Sequence, residues 1–305
     1  MGAERGGHDA GPMPISGPPL PPGRVIELPG RGETLVRELP GPPGAPTVVL
    51  LHGWTATADV TWFPSFTALG QRFRVLSMDL RGHGRGVPAG PWFRLADCAD
   101  DVAALALATG TDRVIAVGYS MGGPIALLLW RRHPELTAGL VLCATSSRFT
   151  RGDPGNRVLS AGLLGLSLAI RLAPDGLSRG MAAALNERRL AGVSGAGWVA
   201  AQLQGNDPAA MVQAGAALRS FDAGPILDQI DVPVAVVVTT RDEVVPPHRQ
   251  LDLARAIPGA SVHEVGGGHG ACVEAAPRFV PVLVDACAGV AARAGTSPSR
   301  GVPGS

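Results

Sequence analysis

Residues 113–132, RVIAVGYSMGGPIALLLWRR, decide the fold of this chain. The apolar run Arg113–Val117 predicts a buried strand, and Met121–Arg132 predicts a helix. Between them, G-Y-S-M-G at Gly118–Gly122 matches the G-x-S-x-G pattern of a sharp strand-to-helix turn that exposes a serine. Both glycines are needed because a Cβ at either place would crowd the neighbouring strand or helix. The pattern alone arises by chance roughly 0.3 times in such a chain, so its strand–helix context carries the prediction.

The same alternation of strand and helix extends along most of the chain. Runs rich in Val, Ile and Leu are separated by helix-like stretches, which is typical of a mostly parallel sheet covered by helices on both faces. Clear strands are predicted at Thr47–Leu51, Phe73–Met78, Arg113–Val117, Gly139–Cys143, Val232–Val238 and Ser261–Val265, and weaker ones at Arg24–Leu28 and Thr34–Leu39. Helices are predicted at Leu95–Ala108, Met121–Arg132, Pro247–Ala256 and Pro277–Ala292. The sequence therefore predicts an α/β protein.

Some stretches depart from this alternation. Residues 1–23 and 294–305 are rich in Gly and Pro and poor in large apolar groups, so we predict a disordered arm and a flexible tail. Residues 146–224 are predicted to be an inserted helical cap, because about 80 residues greatly exceed the 10 to 12 that a crossover needs. The core is then formed by residues 24–145 and 225–293.

Composition excludes several classes of protein. The 305 residues carry 26 basic and 25 acidic side chains, a net charge of +1 that argues against an electrostatic nucleic-acid binder. Every basic side chain is Arg, so lysine Schiff bases and the G-K-[ST] phosphate loop are excluded. The four cysteines, Cys98, Cys143, Cys272 and Cys287, lack C-x-x-C spacing, which disfavours a disulfide scaffold or a zinc finger.

Nothing in the sequence predicts secretion or a membrane span. Residues 1–23 contain no apolar run, so the cytoplasm is the default location. The most apolar window, Val158–Leu172, contains two serines and an arginine and falls short of the ~20 residues that a span requires. We interpret it as a buried or interfacial helix. The expected partner is a small-molecule substrate; no metal or organic cofactor is implied, and no feature indicates an oligomeric state.

A serine nucleophile needs a base within hydrogen-bond reach and a carboxylate that orients the base. In this architecture the order is Ser, then Asp or Glu, then His, on loops at the carboxyl ends of strands. Asp242 follows the strand Val232–Val238 and is the predicted acid. Glu243, one residue further along, is the rival and faces a different way.

Three histidines follow the predicted acid. His269 lies in the loop G-G-G-H-G at Gly266–Gly270, just beyond the strand Ser261–Val265, and a glycine-rich loop lets an imidazole reach across the site. His263 falls inside that strand, and His248 lies at a predicted helix start. We therefore predict His269 as the general base for Ser120.

The developing oxyanion needs two backbone N–H donors, one from the residue after the nucleophile and one from an earlier loop. Met121 provides the first. The second is expected from Trp54, because His52-Gly53-Trp54 follows the strand Thr47–Leu51 directly. His52 is predicted to hydrogen-bond within its own loop and to transfer no proton.

With these residues in place, the chain resembles the α/β-hydrolase family over roughly residues 24 to 293. The resemblance rests on ordered motifs: L-L-H-G-W at Leu50–Trp54, D-L-R-G-H-G at Asp79–Gly84, G-Y-S-M-G-G at Gly118–Gly123, Asp242, and G-G-G-H-G at Gly266–Gly270. It implies a mostly parallel, eight-stranded sheet with a cap. The departures are Thr239, where the family often has the Gly of Gly-x-x-Asp, and the additional N-terminal arm.

The resemblance also narrows the expected activity. Related haloalkane dehalogenases and epoxide hydrolases use an aspartate where this chain has Ser120, so both chemistries are disfavoured. The many Leu and Ala residues of the predicted cap indicate an apolar pocket, and we expect a serine hydrolase that cleaves a small or medium apolar carboxylic ester. The alternatives are a carbon–carbon bond hydrolase or a cofactor-free perhydrolase with the same triad, or a non-catalytic small-molecule receptor.

Overall fold

The computed structural model describes residues 17–150, 154–173, 176, 178, 180, 183–184 and 195–296. The described strands are β1 Gly23–Leu28, β2 Gly32–Leu39, β3 Thr47–Leu51, β4 Arg74–Met78, β5 Val114–Tyr119, β6 Thr137–Cys143, β7 Val234–Thr239 and β8 Ser261–Val265. They form one eight-stranded sheet in the order β1-β2-β4-β3-β5-β6-β7-β8. The β1–β2 and β2–β4 pairs are antiparallel, and the other pairs are parallel. The carboxyl ends of β3 and of β5 to β8 therefore lie at one edge of the sheet.

Helices connect these strands. Those described are α1 Ala58–Trp62, α2 Phe66–Gly70, α3 Leu95–Ala108, α4 Gly122–Arg132, α5 Pro154–Leu172, α6 Ala196–Leu203, α7 Pro208–Ser220, α8 Pro247–Ala256, α9 Ala271–Glu274 and α10 Ala276–Thr296. A short 3₁₀ helix covers Gly224–Gln229. None of the described helices is long and apolar enough to cross a membrane.

The core has two layers, one on each face of the sheet. Alternate residues of a strand point to opposite faces, so Val49 and Leu51 of β3 pack with α3, α4 and α8. Val48 and Leu50 pack on the other face with α1, α2 and α10. Central parallel strands are buried on both faces, which is why these segments are continuous apolar runs in the sequence.

The predicted α/β class and the predicted eight-stranded, mostly parallel sheet are both confirmed. Two strands, Thr47–Leu51 and Ser261–Val265, and two helices, Leu95–Ala108 and Pro247–Ala256, have their predicted ends. Most other ends differ by one or two residues. The last helix is longer than predicted and continues to Thr296.

Both predicted tails are too long where the structure describes them. Residues 17–23 of the predicted disordered arm contact the folded protein: Leu20 packs against the core, and the Pro21 carbonyl accepts a hydrogen bond from Arg37. Gly23 is the first residue of β1. Residues 294–296 of the predicted tail belong to α10. The rest of both tails lies outside the described residues.

The chain between β6 and β7, residues 144–233, is here called the inter-strand segment. Its described part contains α5, α6, α7 and the 3₁₀ helix. Trp198 of α6 packs edge-on against Phe63, which follows α1, at a centroid distance of 5.5 Å. Arg148 and Asp222 pair near the two ends of the segment. The inter-strand segment therefore contacts the residue after α1, which covers the sheet, and also makes contacts between its own two ends.

Candidate active site

Ser120 lies in a strained turn between β5 and α4. Its φ is +53°, a left-handed conformation that costs a non-glycine residue free energy. A Cβ added at Gly118 would lie 2.3 Å from the Gly122 carbonyl oxygen, and one added at Gly122 would lie 2.2 Å from the Leu51 carbonyl oxygen. The predicted crowding by strand and helix is thus confirmed at both glycines.

Hydrogen bonds to β6 and the residues after it hold this turn in place. The Ser120 N–H donates to the Cys143 carbonyl at 2.9 Å. The Ser120 carbonyl accepts from the Thr145 hydroxyl at 2.8 Å and from the Gly123 N–H at 3.0 Å. With its backbone fixed on both sides, the Ser120 side chain is aimed at the edge of the sheet where the strands end.

The structure brings together the three residues predicted as nucleophile, base and acid. Ser120 Oγ lies 3.0 Å from His269 Nε2, and His269 Nδ1 lies 2.8 Å from Asp242 Oδ2. Ser120 is 8% exposed and Asp242 is buried, whereas a quarter of the His269 side chain is exposed. The hydrogen-bonded chain therefore reaches from a buried carboxyl to a partly open imidazole.

Asp242 is held as a carboxylate. Burial alone would raise its pKa, but hydrogen bonds from His269 and the Val245 N–H outweigh burial and lower the pKa of this carboxyl. The Val244 and Val245 N–H groups donate to Oδ1 at 2.9 and 2.8 Å, and the Thr239 hydroxyl donates to Oδ2 at 2.8 Å. A carboxylate can only accept, so His269 Nδ1 donates to it and Nε2 offers its lone pair to the Ser120 hydroxyl.

Two positioning residues on the acid side are buried side chains that sequence reasoning missed. Thr239, noted only as a departure from the family pattern, supplies a donor to Asp242. Gln250 of α8 accepts from the Thr239 N–H at 3.0 Å and donates to the Val245 carbonyl at 2.7 Å. Both residues are fully buried, so hydrogen bonds from the protein interior hold the loop that carries Asp242.

The loop that carries His269 is held through its carbonyl groups. Four donors bind the carbonyls of residues 266–269 in order: Arg278 Nε to Gly266, the Arg241 N–H to Gly267, the Ala271 N–H to Gly268, and the Tyr119 hydroxyl to His269 at 2.7 Å. Tyr119, the one tyrosine of the chain, precedes Ser120. It was also missed, because no local pattern reveals a bond to a residue 150 positions away.

The rival residues are not brought to the site. Glu243 and His248 are exposed. His263 lies in β8, where its Nε2 is 3.2 Å from the Ser261 hydroxyl. These positions agree with the choice of Asp242 and His269 over their neighbours in sequence.

The two predicted oxyanion donors are available. Neither the Met121 N–H nor the Trp54 N–H donates to any residue that the structure describes. The chain at Gly53 passes close to the nucleophile, since a Cβ added there would lie 3.5 Å from Ser120 Cβ. The Trp54 amide is therefore next to the reacting side chain.

His52 is buried and bonds within its own loop, as predicted, and it also bonds to the backbone of a second loop at Leu80. Its Nε2 accepts from the Leu80 N–H at 2.8 Å, so Nδ1 is the donor to the Gly53 carbonyl, also at 2.8 Å. Burial lowers the pKa of His52 to about 4, which keeps the ring neutral. The Gly53 carbonyl also accepts from the Ala56 N–H at 3.3 Å. Because the peptide is planar, these bonds set the direction of the Trp54 N–H.

Three tryptophans of the first hundred residues differ in burial. Trp62 is fully buried in the core, whereas Trp54 and Trp92 are exposed. A cavity of about 590 Å³ lies between residues 82–90 on one side and residues 170–171, 178 and 205–209 on the other, but none of the five predicted site residues lines it. No group of three or more His, Cys, Asp or Glu side chains in the described part of the chain could hold a metal ion.

Comparisons with known proteins identify the family. The sequence profile of the alpha/beta hydrolase fold matches residues 46–276. A putative carbamate hydrolase RutD of Rhizobium rhizogenes is 30% identical over 72% of this chain and 84% of that protein. A pimeloyl-acyl-carrier protein methyl ester esterase of Neisseria meningitidis is 30% identical over 72% of this chain and 69% of that protein. The crystal structure of the enol-lactonase from Burkholderia xenovorans LB400 matches with a TM-score of 0.68 and 26% identity, over 87% of this chain and all of that one.

The family named at the sequence level is thus confirmed by an independent match of both sequence and structure. The chain belongs to the alpha/beta hydrolase family and is a hydrolase.

Proposed function

We propose that this protein is a serine hydrolase that cleaves small or medium apolar carboxylic esters through an acyl-enzyme. The observation that carries the proposal is the chain of hydrogen bonds from Asp242 through His269 to Ser120, with distances of 2.8 and 3.0 Å. A base this close to a hydroxyl, oriented by a carboxylate, is what activates a serine at neutral pH.

The first half of the reaction forms the acyl-enzyme. Ser120 Oγ attacks the ester carbonyl carbon while its proton passes to His269 Nε2. The carbonyl oxygen becomes an oxyanion, which accepts hydrogen bonds from the Met121 and Trp54 N–H groups. His269 then gives the proton to the leaving alcohol, and Ser120 is left esterified.

The second half regenerates the enzyme. Water attacks the acyl carbon and transfers a proton to His269, which returns it to Ser120 as the acid departs. Asp242 stabilises the imidazolium in both halves while it remains ionised. The lowered pKa of Asp242 supports this role.

Two observations support an ester as the substrate. The relatives are named for a carbamate, a methyl ester and an enol lactone, which all carry an acyl carbon bonded to a heteroatom. Exposed apolar side chains flank the site: Trp54 follows the loop beside Ser120, and Val244 follows Asp242. Such side chains favour an apolar acyl or alcohol group, and the inter-strand segment then serves as the cap that covers it.

The test uses wild type and Ser120→Ala with a fluorophosphonate probe and p-nitrophenyl esters of increasing acyl length. We expect labelling and turnover in wild type, and in Ser120→Ala no labelling and at least a thousandfold lower kcat. Ser146→Ala serves as the matched control, because it removes a different buried hydroxyl near the end of β6.

Equal turnover in Ser120→Ala and wild type would refute the nucleophile. A folded wild type that is neither labelled nor active would refute the hydrolytic proposal and favour a receptor. Faster cleavage of a vinylogous diketone than of any ester would instead assign carbon–carbon bond hydrolysis.

A further inference from the structure

The inter-strand segment is bonded directly to the loop that carries the Trp54 amide. Trp54 Nε1 donates to the Met211 carbonyl of α7 at 2.8 Å. The indole lies flat enough on α7 that a Cβ added at Gly215 would be 2.8 Å from its Cζ2 atom. The glycine therefore provides the space into which the ring fits.

A second contact joins the same loop to the residues just before α7. Asn206 accepts from the Gly84 N–H at 2.7 Å, and its Nδ2 reaches the Thr55 carbonyl at 3.4 Å. Thr55 has a φ of +58°, a conformation that persists only where surrounding contacts impose it. We call Asn206, Met211 and Gly215, with the Trp54 indole and the Thr55 carbonyl, the α7 latch.

The α7 latch restrains the Gly53–Trp54 peptide at the end that its other hydrogen bonds do not hold. The two bonds to the Gly53 carbonyl fix one side of the Gly53–Trp54 peptide. The other side continues into Trp54, which contacts α7, and Thr55, which contacts Asn206 just before α7. A shift of α7 would therefore pull on Trp54, whose N–H lies near the Ser120 side chain, and a misplacement of about 1 Å in a catalytic site can cost on the order of a hundredfold in rate.

We propose that the α7 latch positions the Trp54 amide, so that stabilisation of the oxyanion depends on α7 being docked against the Trp54 indole. Gly215, Met211 and Asn206 are then positioning residues, and the inter-strand segment controls the rate of the chemical step as well as covering the substrate. This inference rests on the proposed function.

Gly215→Ala tests the latch with one methyl group. Alanine is favoured over glycine in a helix interior, so a purely structural effect would leave the melting temperature unchanged or raise it. The new Cβ would displace the indole, and we expect kcat for a p-nitrophenyl ester to fall about tenfold with KM within twofold of wild type. The rate of fluorophosphonate labelling should fall by a similar factor, because the phosphonyl oxygen occupies the same donors.

Gly162→Ala in α5 is the matched control. The substitution is chemically the same and lies in the same segment, but a Cβ added at Gly162 meets nothing within 4 Å. We expect its kcat to equal that of wild type. A double variant, Trp54→Ala with Gly215→Ala, should be no slower than Trp54→Ala alone, because no ring remains to be displaced.

The outcomes separate the two proposals. An active, labelled wild type with a Gly215→Ala kcat within twofold of it would overturn the latch and leave the serine hydrolase intact. An inactive, unlabelled wild type would overturn the proposed function first. Should Gly215→Ala fail to fold, Trp54→Phe decides: it adds no atom and removes the Nε1 donor, and a kcat equal to that of wild type would contradict the latch.

Discussion

The two sides of the candidate active site are built from glycine-rich sequence in opposite ways. On the packed side, defined as residues 52–54 and 118–122, glycines give up their Cβ so that backbones touch: at Gly118 and Gly122 an added carbon would lie within 2.3 Å of a carbonyl oxygen. On the bonded side, residues 239–242 and 266–270, a Cβ at Gly266 would meet no described atom within 4 Å, and one at Gly267 or Gly270 would come closest to side chains, those of Ala271 and Glu274, rather than to a carbonyl oxygen. No glycine of Gly266–Gly270 has a positive φ.

The difference shows that glycine can occur in a sequence motif for different physical reasons. Around Ser120, glycine is required because no side chain fits. Around His269, the carbonyl of every residue from Gly266 to Gly270 accepts a hydrogen bond, and that of His269 accepts it from the Tyr119 hydroxyl. Ser120 is therefore placed by close backbone packing together with hydrogen bonds to Cys143 and Thr145, whereas His269 is placed by hydrogen bonds to the carbonyls of its loop.

The largest expected effect on stability is the difference between two variants, each of which adds one methyl group to one side of the site. Gly122→Ala forces a carbon to within 2.2 Å of the Leu51 carbonyl oxygen and should lower the free energy of unfolding by about 3 kcal/mol or more. Gly266→Ala should change it by less than about 1 kcal/mol, because the alanine fits and only restricts the unfolded chain. Urea denaturation measures both, and equal losses would break the comparison.

Acid should weaken the packed side through His52, whose pKa in the folded protein is about 4. An unfolded histidine titrates near 6.5. Its contribution to stability is therefore complete above pH 6.5 and is lost as the pH falls toward 4, by at most about 1.4 kcal/mol per pH unit. Protonated Nε2 could no longer accept from the Leu80 N–H.

His52→Gln should flatten this dependence, since glutamine does not titrate. Urea denaturation at intervals between pH 7 and pH 4 gives the slope for wild type and variant. Identical slopes would show that His52 does not carry the proton linkage. His83 is also buried, and burial together with the neighbouring His52 lowers its pKa to about 3. Its protonation on unfolding therefore also makes the free energy of unfolding fall as the pH falls.

The smallest expected effect is on the bonded side. Tyr119→Phe removes the donor to the His269 carbonyl but keeps the ring packed edge-on against Trp62 and Phe279. Loss of one buried hydrogen bond should cost about 1 kcal/mol of stability. We expect kcat to fall about threefold to tenfold with KM unchanged, because His269 is held less well while substrate contacts stay.

Ester turnover and amide hydrogen exchange of residues 268–270 measure this effect. Faster exchange together with lower kcat would support positioning of the base by Tyr119. Wild-type kcat with wild-type exchange would show that the remaining carbonyl donors suffice to hold the loop.

Much of this architecture was readable from local sequence. The run at Thr47–Leu51 predicted a strand with the correct ends because a central parallel strand is buried on both faces and is therefore apolar along nearly its whole length. The fixed order of Ser120, Asp242 and His269 predicted which loops would meet. Leu20 was predicted to belong to a disordered arm because the core against which it packs is formed by residues distant from it in sequence.

The sequence by itself determined the sheet, the strained serine turn and the identities of the three residues in the hydrogen-bonded chain, because periodicity and steric exclusion act between neighbours along the chain. Only the tertiary structure decided what holds these residues in register: the Tyr119 hydroxyl on the His269 carbonyl, Gln250 and Thr239 behind Asp242, and α7 against the Trp54 indole. Two of these hydrogen bonds span 150 residues or more, and a backbone carbonyl accepts a donor whatever its own side chain is. No local pattern therefore encodes such partners, and folding alone brings them together.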